Sequence, residues 1–245
     1  MKIDVVYNRS ELNGLQDKTV IMIDVLRAST TIVSAFAVGC KTIIPAEEVA
    51  DAFALQKKDE SLILCGERQG KKPQGFQLGN SPLEYNREAV GGKKLVYTTT
   101  NGTRALLASQ GASNVLIGSF VNLRAAVHKA LSLANDIIIL CAGREGAFSF
   151  EDAFCAGLMV DAVNSSVCNL EIEDGARWGF YAVKSMKGVL DNLTDSQIHS
   201  VIANTRHGQY LNFIGLQDDL AFCARQNIFD IVPEYKSGEI AEYDR

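Results

Sequence analysis

An acid, a base and several hydroxyls stand close together in the segment Asp24-Val25-Leu26-Arg27-Ala28-Ser29-Thr30-Thr31. A carboxylate such as Asp24 can hold a cation, and the planar fork of Arg27 can bind a phosphate or a sulfonate. The hydroxyls of Ser29 and Thr30 can donate to the same anion. These residue types therefore favour an anion-binding or metal-binding site. The structural alternative is that Ser29 caps a helix while Asp24 pairs with Arg27.

The elements around this segment place it at a position that suits ligand binding. The apolar run Val20 to Ile23 predicts a short buried strand, and Ile32 to Val38 predicts a helix. Ligands of open α/β sheets bind at the carboxyl ends of the strands, and helix N-termini present free N–H groups to anions. The segment is therefore predicted to line a binding cleft.

Similar polar loops follow the other predicted strands. The long loop from Gly66 to Pro82 follows one strand, Thr98 to Arg104 ends another, and Ala142 to Phe150 follows the continuous apolar run Asp136 to Cys141. Long loops inside compact domains are usually functional. Because the carboxyl ends of parallel strands share one edge of a sheet, we expect these loops to converge.

Segments 18–70 and 93–146 follow the same order of strands, loops and helices, with an offset of about 72 to 76 residues. Their third strands end alike, in Leu64-Cys65-Gly66 and Leu140-Cys141-Ala142-Gly143. This pattern predicts a duplicated β-α-β-α-β unit, although α/β units also resemble one another by composition alone. The prediction is a three-layer α/β/α fold with a mostly parallel sheet, in which residues 1–245 form a single compact catalytic unit.

The last third of the chain is predicted to be mostly helical, as core packing, a lid or a dimer surface. Its predicted helices are Asp174 to Met186, Thr194 to Val201, Thr205 to Ile214 and Leu216 to Ala224. Ile228 to Val232 is predicted as a last strand that Pro233 stops. The charged tail from Glu234 is predicted to be exposed.

Composition excludes several classes of protein. Hydrophobic residues make up 47% of the chain and charged residues 22%, which predicts a folded domain with a substantial core. The formal net charge of −5 argues against a nucleic-acid partner. Without a signal-like N-terminus or a long apolar run, the chain is expected to be cytoplasmic and to have no membrane partner. The cysteines form no C-x-x-C pair and the histidines are scattered, so a zinc site is not favoured.

The loops combine acids and arginines, and this combination favours one kind of chemistry. Acids without nearby histidines favour a hard cation such as Mg²⁺, whereas arginines and hydroxyls favour an anionic substrate. Hydrolysis of a phosphate monoester needs both, together with positioning. There is no Walker loop and no G-x-G-x-x-G after a strand, so nucleotide binding is not favoured.

Five motifs in order along nearly the whole chain resemble the 2-phosphosulfolactate phosphatase family. They are Asp24 to Thr31, Gly66-Glu67-Arg68, Gly75-Phe76 with Leu78 to Pro82, Thr98 to Thr103, and Cys141-Ala142-Gly143 with Glu151-Asp152. The resemblance implies a Mg²⁺-dependent phosphatase that converts 2-phosphosulfolactate to sulfolactate on the route to coenzyme M. Gln69 and Gln77 stand where many relatives carry Gly and Asp, which bears on substrate preference. The family also occurs in organisms that make no coenzyme M, so the physiological substrate can differ.

The motifs and the loop chemistry together assign candidate roles. The catalytic candidates are Asp24, Arg27, Glu67 and Arg68. The metal ligands are predicted to be Asp24, Glu67, Glu151 and Asp152. The substrate-binding candidates are Ser29, Thr30, Asn80, Ser81, Thr100, Asn101, Gly102, Thr103, Arg104 and Gly143.

Alternatives stay open for several of these assignments. Asp24 can instead be a nucleophile that forms an aspartyl-phosphate. Glu151 and Asp152 also suit the first turn of a helix without any function. A non-catalytic module that binds a small anion is the competing function. The predicted partner is a small phosphorylated anion, and a homodimer is left open.

Overall fold

The structure is a computed structural model that describes residues 1–189 and 193–242. The strands are β1 (Lys2–Val6), β2 (Lys18–Ile23), β3 (Thr42–Pro45), β4 (Ile63–Gly66), β5 (Lys94–Thr98), β6 (Asn114–Gly118), β7 (Asp136–Cys141), β8 (Glu171–Ile172), β9 (Glu234–Lys236) and β10 (Glu239–Ala241). The helices are α1 (Ala28–Ala37), α2 (Val49–Lys58), α3 (Arg87–Val90), α4 (Gly102–Ala108), α5 (Leu123–Ser132), α6 (Phe150–Ser166), α7 (Asp174–Val189), α8 (Asp195–Ala203), α9 (Arg206–Phe213) and α10 (Gln217–Cys223).

The strands of the described residues form one sheet in the order β4-β5-β3-β10-β9-β6-β2-β7-β1-β8. β4, β5 and β3 pair in parallel, as do β6, β2, β7, β1 and β8. The hairpin of β9 and β10 joins the two parallel halves through antiparallel pairs. The predicted α/β class with a mostly parallel sheet is therefore confirmed.

The two similar segments interleave within this sheet. β5, the first strand of the second segment, lies between β3 and β4 of the first. β2, the first strand of the first segment, lies between β6 and β7 of the second. Each segment thus completes the parallel half-sheet of the other. The duplication itself stays a prediction.

Apolar side chains alternate between the two faces of the strands, which gives a layer of helices on each side. Ile21 and Ile23 pack with α5 to α10 on one face, whereas Val20 and Met22 pack with α1 and α4 on the other. At the far half of the sheet, α2 covers Val96 and its neighbours. No helix of the described residues combines the length and apolar character needed to cross a membrane.

The end of the chain differs from the prediction. Ile228 to Val232 forms no strand, and the charged tail instead supplies β9 and β10. Their turn is Ser237-Gly238, and both residues have positive φ angles, which suit a tight hairpin. Tyr235 and Ile240 are buried between the charged residues of the hairpin. Residues 234–241 form a hairpin because this alternation buries one face while their backbone joins β3 to β6.

Candidate active site

The loops after β2, β4, β5 and β7 meet around a cavity of about 280 Å³. Helix α9, from the last third of the chain, closes one side of it through His207 and Tyr210. The cavity is lined by Asp24, Leu26, Arg27, Glu67, Gln69, Gly70, Asn80, Thr100, Asn101, Arg144, Glu145, His207 and Tyr210. Acids and bases from distant parts of the sequence therefore face a single small volume.

Asp24 lies in this cavity directly after β2, and only 7% of its surface is exposed. Burial raises the pKa of its carboxyl to about 6; the charge of His207 opposes the shift, and those of Glu67 and Glu151 add to it. A hydrogen bond from the backbone of Ala28 also favours the charged form. The charged carboxylate is therefore under electrostatic strain that a cation would relieve.

Gly102 allows the β5 loop to approach Asp24. A Cβ atom at this position would lie 2.8 Å from Asp24 Oδ2 and 2.7 Å from Ala28 Cβ. Every other residue type would place a Cβ atom in this space. Gly102, a predicted substrate-binding residue, thus forms part of the packing around Asp24.

Glu67 connects two of the loops. Its Oε2 accepts a hydrogen bond from Gly70 N at 2.6 Å, and its Oε1 accepts one from Thr100 N at 2.8 Å. The side chain is buried and lines the cavity. Glu67 therefore fixes the β4 and β5 loops relative to each other while it faces the same volume as Asp24.

Arg27 lines the cavity, but other protein groups already bind its guanidinium. Nη1 donates to Asp219 Oδ2 at 2.6 Å, and Nη2 donates to the carbonyl of Gly70 at 2.9 Å. The second carboxylate oxygen of Asp219 accepts from Ser81 Oγ at 2.6 Å. Arg27 pairs with Asp219 rather than with Asp24, and Ser81 does not line the cavity.

The other two arginines with predicted roles lie elsewhere. Arg68 donates to the backbone carbonyl of Glu47 and lies 3.6 Å from Glu48. Arg104 pairs with the same two acids, at 3.7 Å and 3.3 Å. Neither arginine lines the cavity, because both guanidiniums lie against Glu47 and Glu48, the residues directly before α2.

Most of the predicted hydroxyl donors shape the turns instead of the cavity. Ser29 Oγ accepts from Asp24 N at 3.1 Å, Thr30 Oγ1 donates to the carbonyl of Val25, and Thr103 Oγ1 accepts from Thr99 N. None of the three lines the cavity, and Ser29 forms no side-chain cap on α1.

Three predicted substrate-binding residues, Asn80, Thr100 and Asn101, do line the cavity. The amide oxygen of Asn80 accepts from the hydroxyl of Tyr97, and Asn101 Oδ1 accepts from Glu145 N at 2.9 Å. Thr100 Oγ1 is buried with no hydrogen-bond partner among the described residues.

Both carboxylate oxygens of Asp152 accept hydrogen bonds from backbone N–H groups. Its Oδ1 accepts from Val25 N at 2.9 Å and its Oδ2 from Gly143 N at 3.2 Å, so it ties together the β2 and β7 loops. Burial holds the pKa of this carboxyl well above its usual range, and the charges of Asp24 and Glu151 add to the shift. Asp152 and Gly143 lie beside the cavity wall without lining the cavity.

Glu151 is a partner of His207. Its Oε1 lies 3.2 Å from His207 Nδ1. Burial alone would raise the pKa of Glu151, but the hydrogen bond and charge of His207 outweigh it and hold that pKa below its ordinary value. The four predicted metal ligands therefore do not gather into one group, and the described part of the chain contains no cluster of three acid, histidine or cysteine side chains placed to hold a metal.

His207 and Tyr210 are site residues that the sequence did not reveal. Both lie on α9, and Tyr210 donates from its hydroxyl to the carbonyl of Gln69 at 2.9 Å. The guanidinium carbon of Arg144 lies 5.5 Å from the centre of the Tyr210 ring. No motif marks these positions, since the loops that they contact are far away in the sequence.

A second cavity of about 630 Å³ adjoins the first and shares Arg144, Glu145 and His207 with it. Its other walls are largely apolar and include Phe148 and Phe150. Arg144 therefore stands on the boundary between a small polar cavity and a larger apolar one.

Comparison with known proteins agrees with the motifs. The family model described as 2-phosphosulpholactate phosphatase matches residues 5–238. A relative from Clostridium novyi (strain NT), named "Probable 2-phosphosulfolactate phosphatase", is 39% identical over 99% of this chain and 100% of its own length. Proteins of the same name from Clostridium acetobutylicum and Carboxydothermus hydrogenoformans are each 36% identical, over 98% and 96% of this chain and 100% and 93% of their own lengths. A full-length match at this level of identity means that the chain belongs to the 2-phosphosulfolactate phosphatase family.

Proposed function

We propose that this chain is a Mg²⁺-dependent phosphatase that hydrolyses 2-phosphosulfolactate to sulfolactate and phosphate, a reaction on the route to coenzyme M. As a member of its family, the chain is a phosphoric monoester hydrolase. The same membership disfavours a non-catalytic anion-binding module. The names of the relatives support the substrate, whereas the cavity chemistry supports the metal.

The observation that carries the proposal is the position of Asp24 beside Glu67. Both carboxylates are buried, both line the cavity, and the charge of Glu67 contributes to the raised pKa of Asp24. A divalent cation would neutralise this repulsion. Mg²⁺ is commonly held by one or two carboxylates, with water and substrate phosphate oxygens as its other ligands, so this pair fits the ion.

Asp24 and Glu67 would thus hold the ion, which when bound neutralises phosphate charge and acidifies a bound water. The other two predicted ligands do not fit. Neither of them lines the cavity, unlike Asp24 and Glu67. Asp152 accepts from Val25 N and Gly143 N, and Glu151 is paired with His207.

His207 is placed to donate a proton. Hydrolysis joins a water oxygen to the phosphorus and breaks the P–O bond of the ester. The departing alkoxide then needs a proton, which general acids supply in many enzymes. Glu151 engages Nδ1 of His207, which leaves Nε2 as the ring nitrogen for transfer. In this proposal, Glu151 orients the imidazole and His207 protonates the sulfolactate oxygen.

The deciding experiment measures phosphate release from 2-phosphosulfolactate by purified protein after exhaustive EDTA treatment, and again after Mg²⁺ is restored. We expect activity to disappear with EDTA and to return with Mg²⁺. Activity that survives EDTA would refute the metal requirement. Hydrolysis of p-nitrophenyl phosphate without hydrolysis of 2-phosphosulfolactate would refute the substrate.

A further inference from the structure

We propose that Arg144 binds the non-reacting anionic end of the substrate, namely a carboxylate or sulfonate group rather than the phosphate. This inference rests on the proposed function, because it takes the substrate to be a small acid that carries more than one anionic group. It assigns a role to an arginine that the described structure leaves without any protein acceptor.

Arg144 differs from the other arginines near the site. The guanidinium of Arg27 is held by Asp219 and Gly70, and those of Arg68 and Arg104 pair outside the cavity. Among the described residues, no hydrogen bond or ion pair of the Arg144 side chain is formed, and its Nη1 is buried. Buried donors without an acceptor are rare in native proteins, so a ligand that supplies the acceptor is a natural explanation.

The backbone around Arg144 is fixed on both sides. Gly143 N donates to Asp152 Oδ2, and Glu145 N donates to Asn101 Oδ1 at 2.9 Å. Arg144 and Ala147 exchange two further backbone hydrogen bonds, at 2.9 Å and 2.8 Å. A Cβ atom on Gly143 would lie 2.5 Å from the Ala147 carbonyl oxygen, so the tight turn requires glycine there. Arg144 is therefore presented on a rigid loop.

The side chain is positioned by an aromatic ring. Its guanidinium lies over the face of Tyr210, whose hydroxyl is held by the carbonyl of Gln69. Stacking on an aromatic face leaves the N–H groups in the guanidinium plane free to donate at its edge. A fork held in this way suits the oxygens of a carboxylate or sulfonate and loses little freedom when it binds them.

Arg144 and the two acids come from different loops around the same cavity. Asp24 and Glu67, which would hold the metal and hence the phosphate, come from the loops after β2 and β4. Arg144 comes from the loop after β7, at the boundary with the second cavity. A three-carbon acid can place its phosphate near the acids and its other anionic groups near Arg144.

The test compares the binding of two probes by calorimetry in the presence of Mg²⁺. Sulfolactate carries the carboxylate and the sulfonate, whereas inorganic phosphate represents the reacting group. We expect Arg144→Gln to weaken sulfolactate binding about tenfold or more, as for the loss of charged hydrogen bonds, and to leave phosphate binding within about twofold. Arg144→Lys should be intermediate because an ammonium lacks the planar fork.

Three further variants separate a positioning role from a general loss of structure. Tyr210→Phe keeps the ring and should retain more sulfolactate affinity than Tyr210→Leu, which removes the stack. Arg124→Gln removes an exposed arginine on α5 and should bind both probes like the wild type. Thermal unfolding of every variant identifies any that fail to fold.

Other outcomes would overturn the inference. An equal loss for both probes would assign Arg144 to the phosphate, and no loss for either would make it structural. A wild-type protein that binds phosphate but not sulfolactate would also overturn it. The proposed function can fail separately. If sulfolactate binding depends on Arg144 but the protein does not hydrolyse 2-phosphosulfolactate, the proposed function is refuted and the inference about Arg144 stands.

Discussion

Arg27 and Asp219 form a buried ion pair in which Nη1 and Oδ2 are 2.6 Å apart and each side chain is only 3% exposed. The pair links the loop after β2 to α10 near the end of the chain. Because Ser81 donates to the other oxygen of Asp219, three distant segments meet at one carboxylate. These contacts hold α10 against the loops of the candidate active site.

Asp219→Ala should destabilise the protein strongly. The substitution leaves the Arg27 guanidinium buried without its counter-charge, and breaking a buried pair in this way typically costs about 3–5 kcal/mol. Urea denaturation measures the change in the free energy of unfolding. The matched control is Asp218→Ala, which removes the exposed neighbouring acid and should change stability by less than about 0.5 kcal/mol. Equal effects of the two substitutions would contradict the structural role of the pair.

Asp24→Asn should abolish most activity while it stabilises the fold. We expect at least a ~10²-fold loss in kcat, since a central charged group of the site is removed. Burial raises the pKa of Asp24 from 3.8 to about 6, so the charged form costs the native state free energy at neutral pH. One pKa unit is about 1.4 kcal/mol, so the neutral amide should add about 3 kcal/mol above pH ~6.

The sign of this effect gives a pH test. Between about pH 4 and pH 6, the native wild type binds a proton that the unfolded chain has released, so its stability falls as pH rises through this window. The gain from Asp24→Asn should therefore be complete above pH ~6 and absent below pH ~4. Denaturation series in EDTA measure it without metal. Near wild-type turnover, or a gain independent of pH, would contradict the assignment.

Gly102→Ala should reduce activity because the added methyl group would displace the Asp24 carboxylate. The new Cβ atom would meet Asp24 Oδ2 at 2.8 Å and Ala28 Cβ at 2.7 Å, and both distances are too short to persist. We expect a fall in kcat of about tenfold or more, together with a loss of stability of about 1–3 kcal/mol. Ala108→Ser, an equally small change at an exposed position of α4, should leave both quantities unchanged. A fully active Gly102→Ala enzyme would show that the position of the Asp24 carboxylate does not matter for catalysis.

His207→Ala should affect both catalysis and the stability contributed by Glu151. If His207 protonates the leaving group, we expect a loss of about 10²-fold or more in kcat for 2-phosphosulfolactate. Without His207, the strongest opposition to the effect of burial is lost and the pKa of Glu151 rises, so the protein should be less stable at pH 7. This deficit should shrink as pH falls below about 4.5 and the carboxyl is protonated in both states.

The control for this variant is His128→Ala, an exposed histidine on α5. It should behave like the wild type in both assays. Retention of full activity by His207→Ala would remove His207 from the mechanism, and an unchanged stability would show that the Glu151 contact has little energetic weight.

Local sequence patterns were sufficient to predict the α/β class and the strand-end loops. After Asp136, strand β7 is apolar as far as Cys141 because both of its faces are largely buried. A run of this kind followed by a polar loop can be recognised from the sequence alone. Parallel strands place their carboxyl ends at one edge, so a polar site at that edge can be predicted from the sequence. The tertiary structure decides that Asp24 meets Glu67 there, because β2 and β4 lie in different parallel halves of the sheet.

The sequence does not predict which strands pair with each other in the sheet. A buried strand such as β2 is apolar on both faces whichever strand it pairs with, so nothing in its pattern predicts insertion between β6 and β7. The tail from Glu234 was predicted to be exposed because it is charged. Its hairpin forms only because β3 and β6 offer open edges on either side.

The sequence by itself determined which acids stand at the strand ends, since Asp24 and Glu67 follow their strands directly. Tertiary structure alone decided what the arginines do and which C-terminal residues enter the site. Arg27 meets Asp219 across 192 positions, and Tyr210 on α9 meets Gln69 across 141 positions. His207, on the same helix, meets Glu151 across 56 positions. A guanidinium binds whichever acceptor the completed fold brings within about 3 Å, and that choice is made by packing between distant segments rather than by local spacing.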